Sequence, residues 1–442
     1  MANLDSIVSL CKRRGFVFPG SDVYGGFAGT WDFGPLGVML KKNIMDTWWH
    51  YWVEKRDDIY GVDADIIMNP RTWMASGHTA TFADPLIECK ACHGRFRADK
   101  LAKGLNESVT DDEFIRLHVK CPTCGQEAWG PIRMFNMMFK THVGPVTDES
   151  SAAYLRPETA QGIFVNYKNI VDTFYPDIPF GIAQQGKAFR NEISPRDFIL
   201  RDRECTQMEI EYFVNPETWE TEFEQLLKET DLFLEKEMGL SVEKINHVEV
   251  DAKDRAHYSK RTVDFMFSYP NGEEELMGLA YRTDFDLKNI EHESGKTMEY
   301  RDKVTGESFV PHVIEPSIGV ERLFLAVLSD AYTEEKVEGK DEIRTVLKLP
   351  ENLAPYKFCV SPLLKNKPEL VNKAEEVYRL LKEKYIFVIW DDSGNIGKRY
   401  RKQDEIGTPK CVVIDFDTLE DGTVTVRDRD TAQQIRIKPE EL

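Results

Sequence analysis

The 442-residue sequence lacks any apolar run long enough to cross a bilayer. Its longest runs, such as residues 385–390, fall far short of the roughly 20 apolar residues that a transmembrane helix needs. Residues 7–11 begin apolar, but Ser9 interrupts them and three basic residues follow, so a secretory signal is not indicated. We therefore expect a cytoplasmic protein without membrane association.

The chain also lacks an excess of positive charge, since 76 acidic residues against 57 basic ones give a formal net charge of −19. Long-range repulsion argues against a protein that coats nucleic acid indiscriminately, while binding through a local basic surface remains possible. Residues 351–442 carry 16 Lys or Arg and 17 Asp or Glu, so most of the acidity precedes them. This C-terminal part is therefore the more favourable contact for a polyanion.

Cysteines number only eight, and four of them form two CxxC pairs, Cys89 with Cys92 and Cys121 with Cys124. In a chain without a signal peptide, paired CxxC sequences are typical of metal ligands rather than of disulfides. Four thiolates fill a tetrahedral shell, which predicts a structural Zn²⁺ rather than a catalytic one. The spacer between the pairs is long, and four reduced cysteines in an insertion remain the alternative.

Periodicity outlines the large N-terminal part, in which we find no internal repeat. Apolar residues recur every four positions over residues 36–52, which predicts a long helix. Alternation over 62–66 predicts a strand that ends at Asn69-Pro70. Two strand-like runs between residues 180 and 214 flank a polar loop and predict a hairpin.

The C-terminal part begins after a proline-punctuated boundary near residues 345–355. Residues 358–361, 386–390 and 411–414 resemble short strands, and residues 371–384 resemble a helix between the first two. This alternation predicts a small α/β domain.

The predicted hairpin carries the first group of chemically informative residues. Its second strand places Cys205, Gln207 and Glu209 on one face and the residues between them on the other. Arg190 and Glu192 precede the loop, which contains three arginines, Arg196, Arg201 and Arg203. Arginines beside carboxylates could hold a triphosphate with Mg²⁺. Taken alone, a solvated hairpin with surface ion pairs explains the pattern equally well.

A second group spans residues 315–322, after a short strand at 313–314 and at the start of a helix. Gly319 permits close approach of the backbone to a ligand, and Arg322 projects from the first turn. Taken alone, an ordinary strand-to-helix junction explains this segment too.

Together these segments resemble the three motifs of the class II aminoacyl-tRNA synthetases, in the correct order. The long helix and the strand after it are similar to motif 1, residues 189–212 to motif 2, and residues 319–322 to motif 3. Further segments resemble the dimeric glycyl-tRNA synthetases, and the resemblance covers essentially the whole chain. These segments are residues 96–99, 154–161, 190–196, 315–317, 391–400 and 427–430.

The resemblance implies an α/β fold with an antiparallel catalytic sheet flanked by helices, a zinc-binding insertion and an anticodon-binding domain. The implied boundaries are 1–83 and 151–345 for the catalytic domain, 84–150 for the insertion and 351–442 for the anticodon-binding domain. The implied enzyme activates glycine with ATP and transfers the glycyl group to the 3′ end of glycine tRNA. It would act as a homodimer, and we expect the motif 1 helix and strand at the interface, because Trp48, Trp49 and Trp52 give that helix more aromatic area than its own core needs.

The resemblance also implies roles for individual residues. The ATP site, with Glu275 helping to hold Mg²⁺, would comprise Arg190, Asn191, Glu192, Leu200, Arg201, Asp202, Arg203, Glu204, Cys205, Glu275, Leu276, Gly319, Val320, Glu321 and Arg322. The glycine site would comprise Arg97, Glu158, Cys205, Thr206, Gln207, Met208, Glu209, Glu315, Pro316, Ser317, Ile318 and Gly319. The anticodon contacts would include Arg399, Arg401, Arg427 and Arg429.

One residue departs from the family pattern, because Cys205 stands where the family has a phenylalanine that stacks on adenine. A cysteine offers less contact area, unless a neighbour such as Phe198 fills the space. Two other functions are considered: a non-catalytic nucleic-acid-binding relative, and a ligase for another amino acid. The first would be free to lose Arg190, Glu192 and Arg322, yet all three are present. The sequence Glu-Pro-Ser at residues 315–317 argues against the second.

Overall fold

A computed structural model of the chain describes residues 3–101, 112–195, 197–336 and 341–442. It confirms the expected fold class, with a mostly antiparallel central sheet flanked by helices and a separate α/β sheet near the C-terminus. Arg196 of the arginine-rich loop lies outside the described residues.

The central sheet has seven strands, and only the edge strand Ile59–Gly61 runs parallel to its neighbour. From one edge to the other, the strands are Ile245–Glu249, Arg261–Tyr269, Gly272–Thr283, His312–Gly319, Glu204–Val214, Phe180–Phe189 and Ile59–Gly61. The strands Phe180–Phe189 and Glu204–Val214 pair antiparallel, as the hairpin pattern predicted.

Helices cover the face of the sheet to which Met208 and Ile210 contribute, and enclose the main hydrophobic core. The helices of this layer are Leu4–Arg14, Pro35–Trp49 with its π-helical extension His50–Glu54, Trp219–Leu232 with its extension Phe233–Glu237, and Val320–Ala331. The predicted long helix is therefore confirmed. Its Trp48 and Trp52 are 3% and 2% exposed within this chain's own core. The chain's own core thus accounts for two of the three tryptophans that motivated the interface prediction, and the prediction that motif 1 forms a subunit interface stays a prediction.

The strand predicted at residues 62–66 is wrong in position, since the ladder covers only Ile59–Gly61. Arg156 provides the physical reason. Its guanidinium donates to the carbonyl oxygens of Ala64 at 2.7 Å and Lys187 at 2.6 Å, and so bridges the two chain segments where further ladder bonds would form.

The strand His312–Gly319 is longer than the predicted 313–314 and includes Pro316. Proline has no N–H and is unfavourable in a central strand. Here the register with Glu204–Val214 is interrupted opposite Glu315 and Pro316, so this neighbour requires no amide donor from the proline.

The cysteine pairs lie in a small module with its own core around Ile87, Ile115 and Trp129. Its elements are the strands Ala83–Glu88, Arg95–Arg97 and Arg133–Asn136, and the helices Ala98–Leu101 and Asp112–His118. A hairpin of Lys140–His142 and Ala152–Tyr154 then crosses residue 150, where we placed a domain boundary.

The C-terminal sheet has five strands and encloses a separate core. Its strands in spatial order are Val388–Trp390, Phe358–Pro362, Lys410–Ile414, Val424–Asp428 and Gln434–Ile437, and its helices are Pro368–Lys384, Ile396–Ile406 and Phe416–Asp421. The three predicted strands and the predicted helix are present.

The remaining elements connect these layers. They are the strands Val17–Pro19, Trp31–Phe33, Tyr300–Arg301, Ser308–Phe309, Tyr332–Lys336 and Ile343–Leu347, and the helices Pro70–Ala75, His78–Thr81, Ala160–Phe164, Tyr167–Phe174 and Phe285–Ser294. Short 3₁₀ turns are Asp22–Tyr24, Glu149–Ser151, Phe198–Leu200, Val242–Lys244 and Pro439–Glu441. Across the described ranges, no helix has the length and hydropathy to span a membrane.

A buried ion-pair network joins the C-terminal domain to the strand Ile343–Leu347 that precedes it. Asp404 accepts two hydrogen bonds from Arg427, at 2.7 and 3.1 Å, and one from Arg344 of that strand at 3.3 Å. Arg344 also donates to the backbone carbonyls of Arg429 and Asp430. Asp404 thus compensates Arg427 and shares Arg344 with Glu335, which accepts from Arg344 at 2.6 and 3.0 Å.

Replacing Asp404 with alanine should destabilise the protein strongly, because it leaves Arg344 and Arg427 buried without their shared carboxylate. We expect the free energy of unfolding to fall by about 3–5 kcal/mol in urea denaturation of the full chain. Glu375→Ala is the control: it breaks an exposed pair with Arg379 at 3.0 Å and should cost less than about 1 kcal/mol. Equal losses in the two variants would contradict the prediction.

Candidate active site and metal centre

A cavity of about 440 Å³ lies on the face of the central sheet opposite Met208 and Ile210. Its floor consists of the strands Glu204–Val214, Gly272–Thr283 and His312–Gly319, and the loop after residue 189 forms part of its rim. Because side chains alternate along a strand, the same strands supply the cavity on one face and the core on the other.

Most of the residues expected around a nucleotide line this cavity: Arg190, Glu192, Leu200, Arg201, Asp202, Cys205, Glu275, Leu276, Gly319, Glu321 and Arg322. Four others do not. Val320 is buried in the main core, and Glu204 is exposed and pairs with Lys187 at 2.9 Å. The Arg203 guanidinium donates to the backbone carbonyls of Ala28 and Glu192, and the backbone N–H of Asn191 donates to the carbonyl of Met137.

The residues expected around the amino acid divide in the same way. Arg97, Glu158, Cys205, Gln207, Glu209, Glu315, Ser317 and Gly319 line the cavity. The other four belong to the opposite face of the sheet. Met208 and Ile318 are in the main core, Pro316 contacts a small apolar cavity beside Trp48, and the Thr206 hydroxyl accepts from Lys41 at 2.8 Å.

One end of the cavity is rich in arginine. Arg190 is fixed by a 3.0 Å hydrogen bond from its Nε to the Pro157 carbonyl and lies over the Phe82 ring. Arg322 pairs with Glu275 at 2.8 Å. These guanidinium groups, with Arg201, provide planar donor sets that suit phosphate oxygens.

Two carboxylates at this end could hold a hard divalent cation. Glu275 and Asp264 both line the cavity on neighbouring strands. Burial, followed by the nearby charge of Glu275, raises the pKa of Asp264 to about 6. A bound Mg²⁺ would relieve this repulsion and prefers such oxygen ligands, so the residues fit the ion.

Glu321 has a different role from the one predicted, although it borders the cavity. Its carboxylate accepts from Lys41 at 2.5 Å and from the backbone amide of Thr206 at 2.8 Å. These contacts tie the helix Pro35–Trp49 to the start of the helix Val320–Ala331. Sequence reasoning missed Lys41, which is buried.

The other end of the cavity is rich in carboxylates. Glu209 accepts from the hydroxyl groups of Ser317, at 2.6 Å, and Thr159. Glu315 pairs with Arg282 at 2.9 Å, and Glu158 lies 3.3 Å from His78. An ammonium group is the natural ligand of such a concave acidic surface.

Arg282 is the principal cation among these carboxylates, and sequence reasoning missed it. It is 1% exposed, donates twice to Asp286 at 2.8 and 2.9 Å, and lies between the rings of Tyr258 and Phe164. A signal was present, because Arg282 ends an otherwise apolar strand segment, and a charged residue at such a position requires a buried partner.

The carboxylates differ in their tendency to hold a proton. Burial raises the pKa of Glu315 to about 8, and burial and the charge of Glu158 raise that of Glu209. Burial has the same effect on Glu158, but His78, Arg282 and Arg190 outweigh it and hold its pKa well below the ordinary value. Of these three carboxyl groups, Glu158 is therefore the one whose pKa lies below the ordinary value.

Cys205 faces the arginine-rich end, as the strand alternation predicted. Burial, followed by the charge of Glu321, raises the pKa of its thiol to about 11. Phe198 does not compensate for the smaller side chain, because its ring packs edge-on against Trp31 in the main core. Near Cys205, Asp202 has one carboxylate oxygen without a hydrogen-bond partner among the described residues.

The two CxxC pairs converge outside the cavity. All four sulfur atoms lie within 4.8 Å of one another, with Sγ–Sγ distances of 3.7 Å for Cys89–Cys124 and 3.6 Å for Cys92–Cys121. Tetrahedral Zn²⁺ with Zn–S bonds of about 2.3 Å separates its sulfurs by about 3.8 Å. The cluster therefore fits the ion.

Three of the four arginines expected at an anticodon are internal. Arg399 is 2% exposed and donates to carbonyl groups such as that of Pro362, while Arg427 and Arg429 are occupied by Asp404 and by the Gly407 carbonyl. The structure argues against these three as anticodon contacts, because buried guanidinium groups that donate to internal acceptors are not presented to RNA. Arg401 is partly exposed, pairs with Glu342 and remains a prediction.

Two family models match the chain. Residues 139–331 match the "tRNA synthetase class II core domain (G, H, P, S and T)", and residues 357–442 match the "Anticodon binding domain". Similar proteins include the glycine–tRNA ligase of Malacoplasma penetrans, 48% identical over 99% of this chain and 96% of the relative. That of Caldanaerobacter subterraneus is 49% identical over 98% and 95%, and that of Clostridium kluyveri is 47% identical over 99% and 96%.

The carboxylate cluster predicts a pH-dependent stability. Glu211 is fully buried, and neither of its carboxylate oxygens has a partner among the described residues. Burial and then Glu315 raise its pKa well above the ordinary value. The folded state therefore retains a proton that the unfolded chain releases, and stability falls as pH rises above the ordinary glutamate pKa.

Glu211→Gln removes this proton linkage. We expect thermal unfolding to show the variant more stable than wild type by roughly 1–3 kcal/mol at pH 8, with a smaller difference at pH 5. Glu217→Gln, at an exposed position, serves as the control and should track wild type at both pH values. A difference that is constant with pH would refute the assignment to Glu211.

Proposed function

The chain belongs to the glycine–tRNA ligases of the class II aminoacyl-tRNA synthetases, and we propose that its cavity performs both steps of their reaction. In the first step glycine and ATP form glycyl-adenylate and pyrophosphate. In the second the glycyl group passes to the 3′ end of glycine tRNA. The observation that carries this assignment is that one cavity combines the arginines Arg190, Arg201 and Arg322 with the buried carboxylates Glu158, Glu209 and Glu315.

The arginine-rich end takes the triphosphate. A glycine carboxylate oxygen attacks the α-phosphorus of ATP, the bond from that phosphorus to the bridging oxygen breaks, and pyrophosphate leaves. Arg190 stabilises charge at the α-phosphate, and Arg322 contacts the nucleotide. No side-chain nucleophile is needed, because positioning and electrostatic stabilisation supply the acceleration.

Mg²⁺ at Glu275 and Asp264 would neutralise charge on the phosphates of ATP. The position of both carboxylates beside Arg322 supports this proposal. Glu275 was expected in this role, whereas Asp264 emerges only from the pairing of its strand with Gly272–Thr283.

The carboxylate-rich end takes the ammonium group of glycine. Glu158, Glu209 and Glu315 surround the position that this group would occupy, and Ser317 donates to Glu209 at 2.6 Å. A rigid wall of hydrogen-bonded side chains can exclude a larger amino acid outright, whereas a merely apolar pocket discriminates a methylene by only about 1–3 kcal/mol. Selection by size therefore accounts for specificity without editing.

We assign residues 1–83 and 151–345 to catalysis, 84–150 to the zinc-binding insertion and 351–442 to anticodon binding. The match of residues 357–442 to an anticodon-binding domain supports the last assignment. We also propose a cytoplasmic homodimer with motif 1 at its interface. Among the described residues, Ile59–Gly61 is an edge strand of the central sheet whose outer side pairs with no other strand, which supports that interface.

A non-catalytic relative is the weaker alternative. Such a protein has no use for the catalytic arginines, yet Arg190, Glu192 and Arg322 all border the cavity. Their guanidinium and carboxylate groups form the arrangement that adenylate formation requires.

The proposed function predicts ATP–pyrophosphate exchange that depends on glycine. Alanine and serine at the same concentration should support little exchange, because their side chains meet the wall of the pocket. Glu158→Gln should raise the KM for glycine roughly 10- to 100-fold through loss of a charged ammonium partner, and Glu217→Gln should not. Exchange with alanine or serine but not with glycine would overturn the proposal.

We further propose one structural Zn²⁺ per chain at Cys89, Cys92, Cys121 and Cys124. Metal analysis of protein purified under reducing conditions should find one zinc per chain. Cys121→Ser should release the metal and increase proteolysis within residues 84–150, because the small module core includes this residue.

Cys359→Ser provides the matched control, since Cys359 is also buried but lies outside the cluster. It should retain zinc. Wild-type protein without zinc under reducing conditions would show that the cysteines serve another purpose.

A further inference from the structure

His78 is a buried residue that the reaction described above does not use. It begins the short helix His78–Thr81, directly after Gly77, whose φ of +83° places the backbone in the left-handed region. Its Nε2 lies 3.3 Å from a carboxylate oxygen of Glu158, and the two side chains are 8% and 10% exposed. A histidine therefore contacts, out of solvent, the one of the three carboxyl groups whose pKa lies below the ordinary value.

Ser76 defines the orientation of the His78 ring. The Ser76 hydroxyl lies 2.8 Å from Nδ1 of His78. When the hydroxyl donates to Nδ1, the neutral imidazole carries its proton on Nε2 and donates to Glu158. This tautomer suits both contacts at once, so Ser76, His78 and Glu158 form a continuous chain of polar contacts, at 2.8 and 3.3 Å, that ends in the cavity.

The surrounding residues hold this chain in place. The rings of Trp73 and Phe82 pack against the imidazole, with centroid distances of 5.6 and 5.3 Å. The Asn136 amide donates to the backbone carbonyl of His78 at 3.0 Å. Asn136 belongs to the strand that pairs with Ala83–Glu88, so the sheet of the cysteine module holds the backbone of the histidine through this hydrogen bond.

We propose that His78, oriented by Ser76, is a positioning residue that fixes Glu158 as the acceptor of the substrate ammonium group; this inference rests on the proposed function. Glu158 has a second donor, Gln161, at 3.3 Å on its other oxygen. The two donors together fix the plane of the carboxylate. Without His78, that plane would depend on Gln161 alone.

The charges around Glu158 explain why this donor matters. Burial raises the proton affinity of Glu158, whereas Arg190 and Arg282 act in the opposite direction without a direct hydrogen bond to it among the described residues. Loss of the His78 contact would let Glu158 rotate or take up a proton, and a neutral Glu158 binds an ammonium group poorly. The KM for glycine should therefore rise, while the KM for ATP should change little, because the ATP site lies at the other end of the cavity.

The test compares His78→Leu with His78→Gln in ATP–pyrophosphate exchange. Glutamine can place an amide Nε2–H where the imidazole Nε2–H lies, whereas leucine has no donor. We expect His78→Leu to raise the KM for glycine roughly 10- to 100-fold, as for loss of a hydrogen bond to a charged group, with kcat and the KM for ATP changed less than about threefold. His78→Gln should recover most of the loss.

His247→Leu is the matched control, because it removes a histidine contact to Asp231 at 2.9 Å that lies away from the cavity. It should leave both KM values unchanged. Ser76→Ala removes only the orienting hydroxyl and should raise the KM for glycine about 3- to 10-fold, since the imidazole can then adopt the other tautomer.

Nitrogen NMR of wild-type protein keeps the proposal testable if the leucine variant fails to fold. The expected spectrum shows His78 protonated on Nε2, with a shift that responds to glycine and not to ATP alone. Equal increases in both KM values, no rescue by glutamine, or an Nδ1-protonated ring would each overturn the inference. Absence of glycine-dependent exchange in wild type would instead refute the proposed function.

Discussion

The ion pairs of Arg282 with Asp286 and Glu315 are the contacts on which the rest of the cavity depends. Several carboxylates are buried close to each other, with Glu209 and Glu211 on one strand, Glu315 on its neighbour, and Glu158 and Asp286 outside the sheet. Each would normally take up a proton or turn towards water. A fully buried arginine, sandwiched between two aromatic rings, supplies the charge that keeps this arrangement folded. The acidic surface offered to an ammonium group is therefore a property of the cluster, since no single glutamate could maintain it.

The same strands serve stability and chemistry through the alternation of their side chains. Along Glu204–Val214, the residues Met208 and Ile210 fill the core, while Gln207 and Glu209 face the cavity. A shift of one residue in register would exchange the two sets. Core packing on the helix side therefore holds the catalytic side in register, which gives the site a rigid floor without dedicated supporting loops.

Arginine plays opposite roles in the two parts of the chain. In the catalytic part, Arg190 and Arg322 keep donors directed at a cavity. In the C-terminal part, Arg399 donates to carbonyl groups and Arg427 donates to Asp404, so these arginines stabilise the domain and its junction. A surface suited to RNA in that domain must therefore come from other residues, such as the partly exposed Arg401.

Local patterns in the sequence sufficed for the elements and for much of the site. Period-two and helical spacing identified the hairpin and the long helix, and CxxC spacing identified the four cysteines that converge. Family resemblance placed Glu158, Glu209 and Glu315 together. These features depend on residues close in the chain or on motifs of fixed form, so a linear sequence contains them.

Only the tertiary structure decided which polar residues are partners. Arg156 ends the edge strand by bridging Ala64 and Lys187, and Trp48 faces the chain's own core. Arg282 and His78 become visible as parts of the site only when distant segments meet. The reason is physical: a sequence shows which side chains are charged, whereas burial and the distance to a counter-charge determine whether a charge binds a ligand or stabilises the fold.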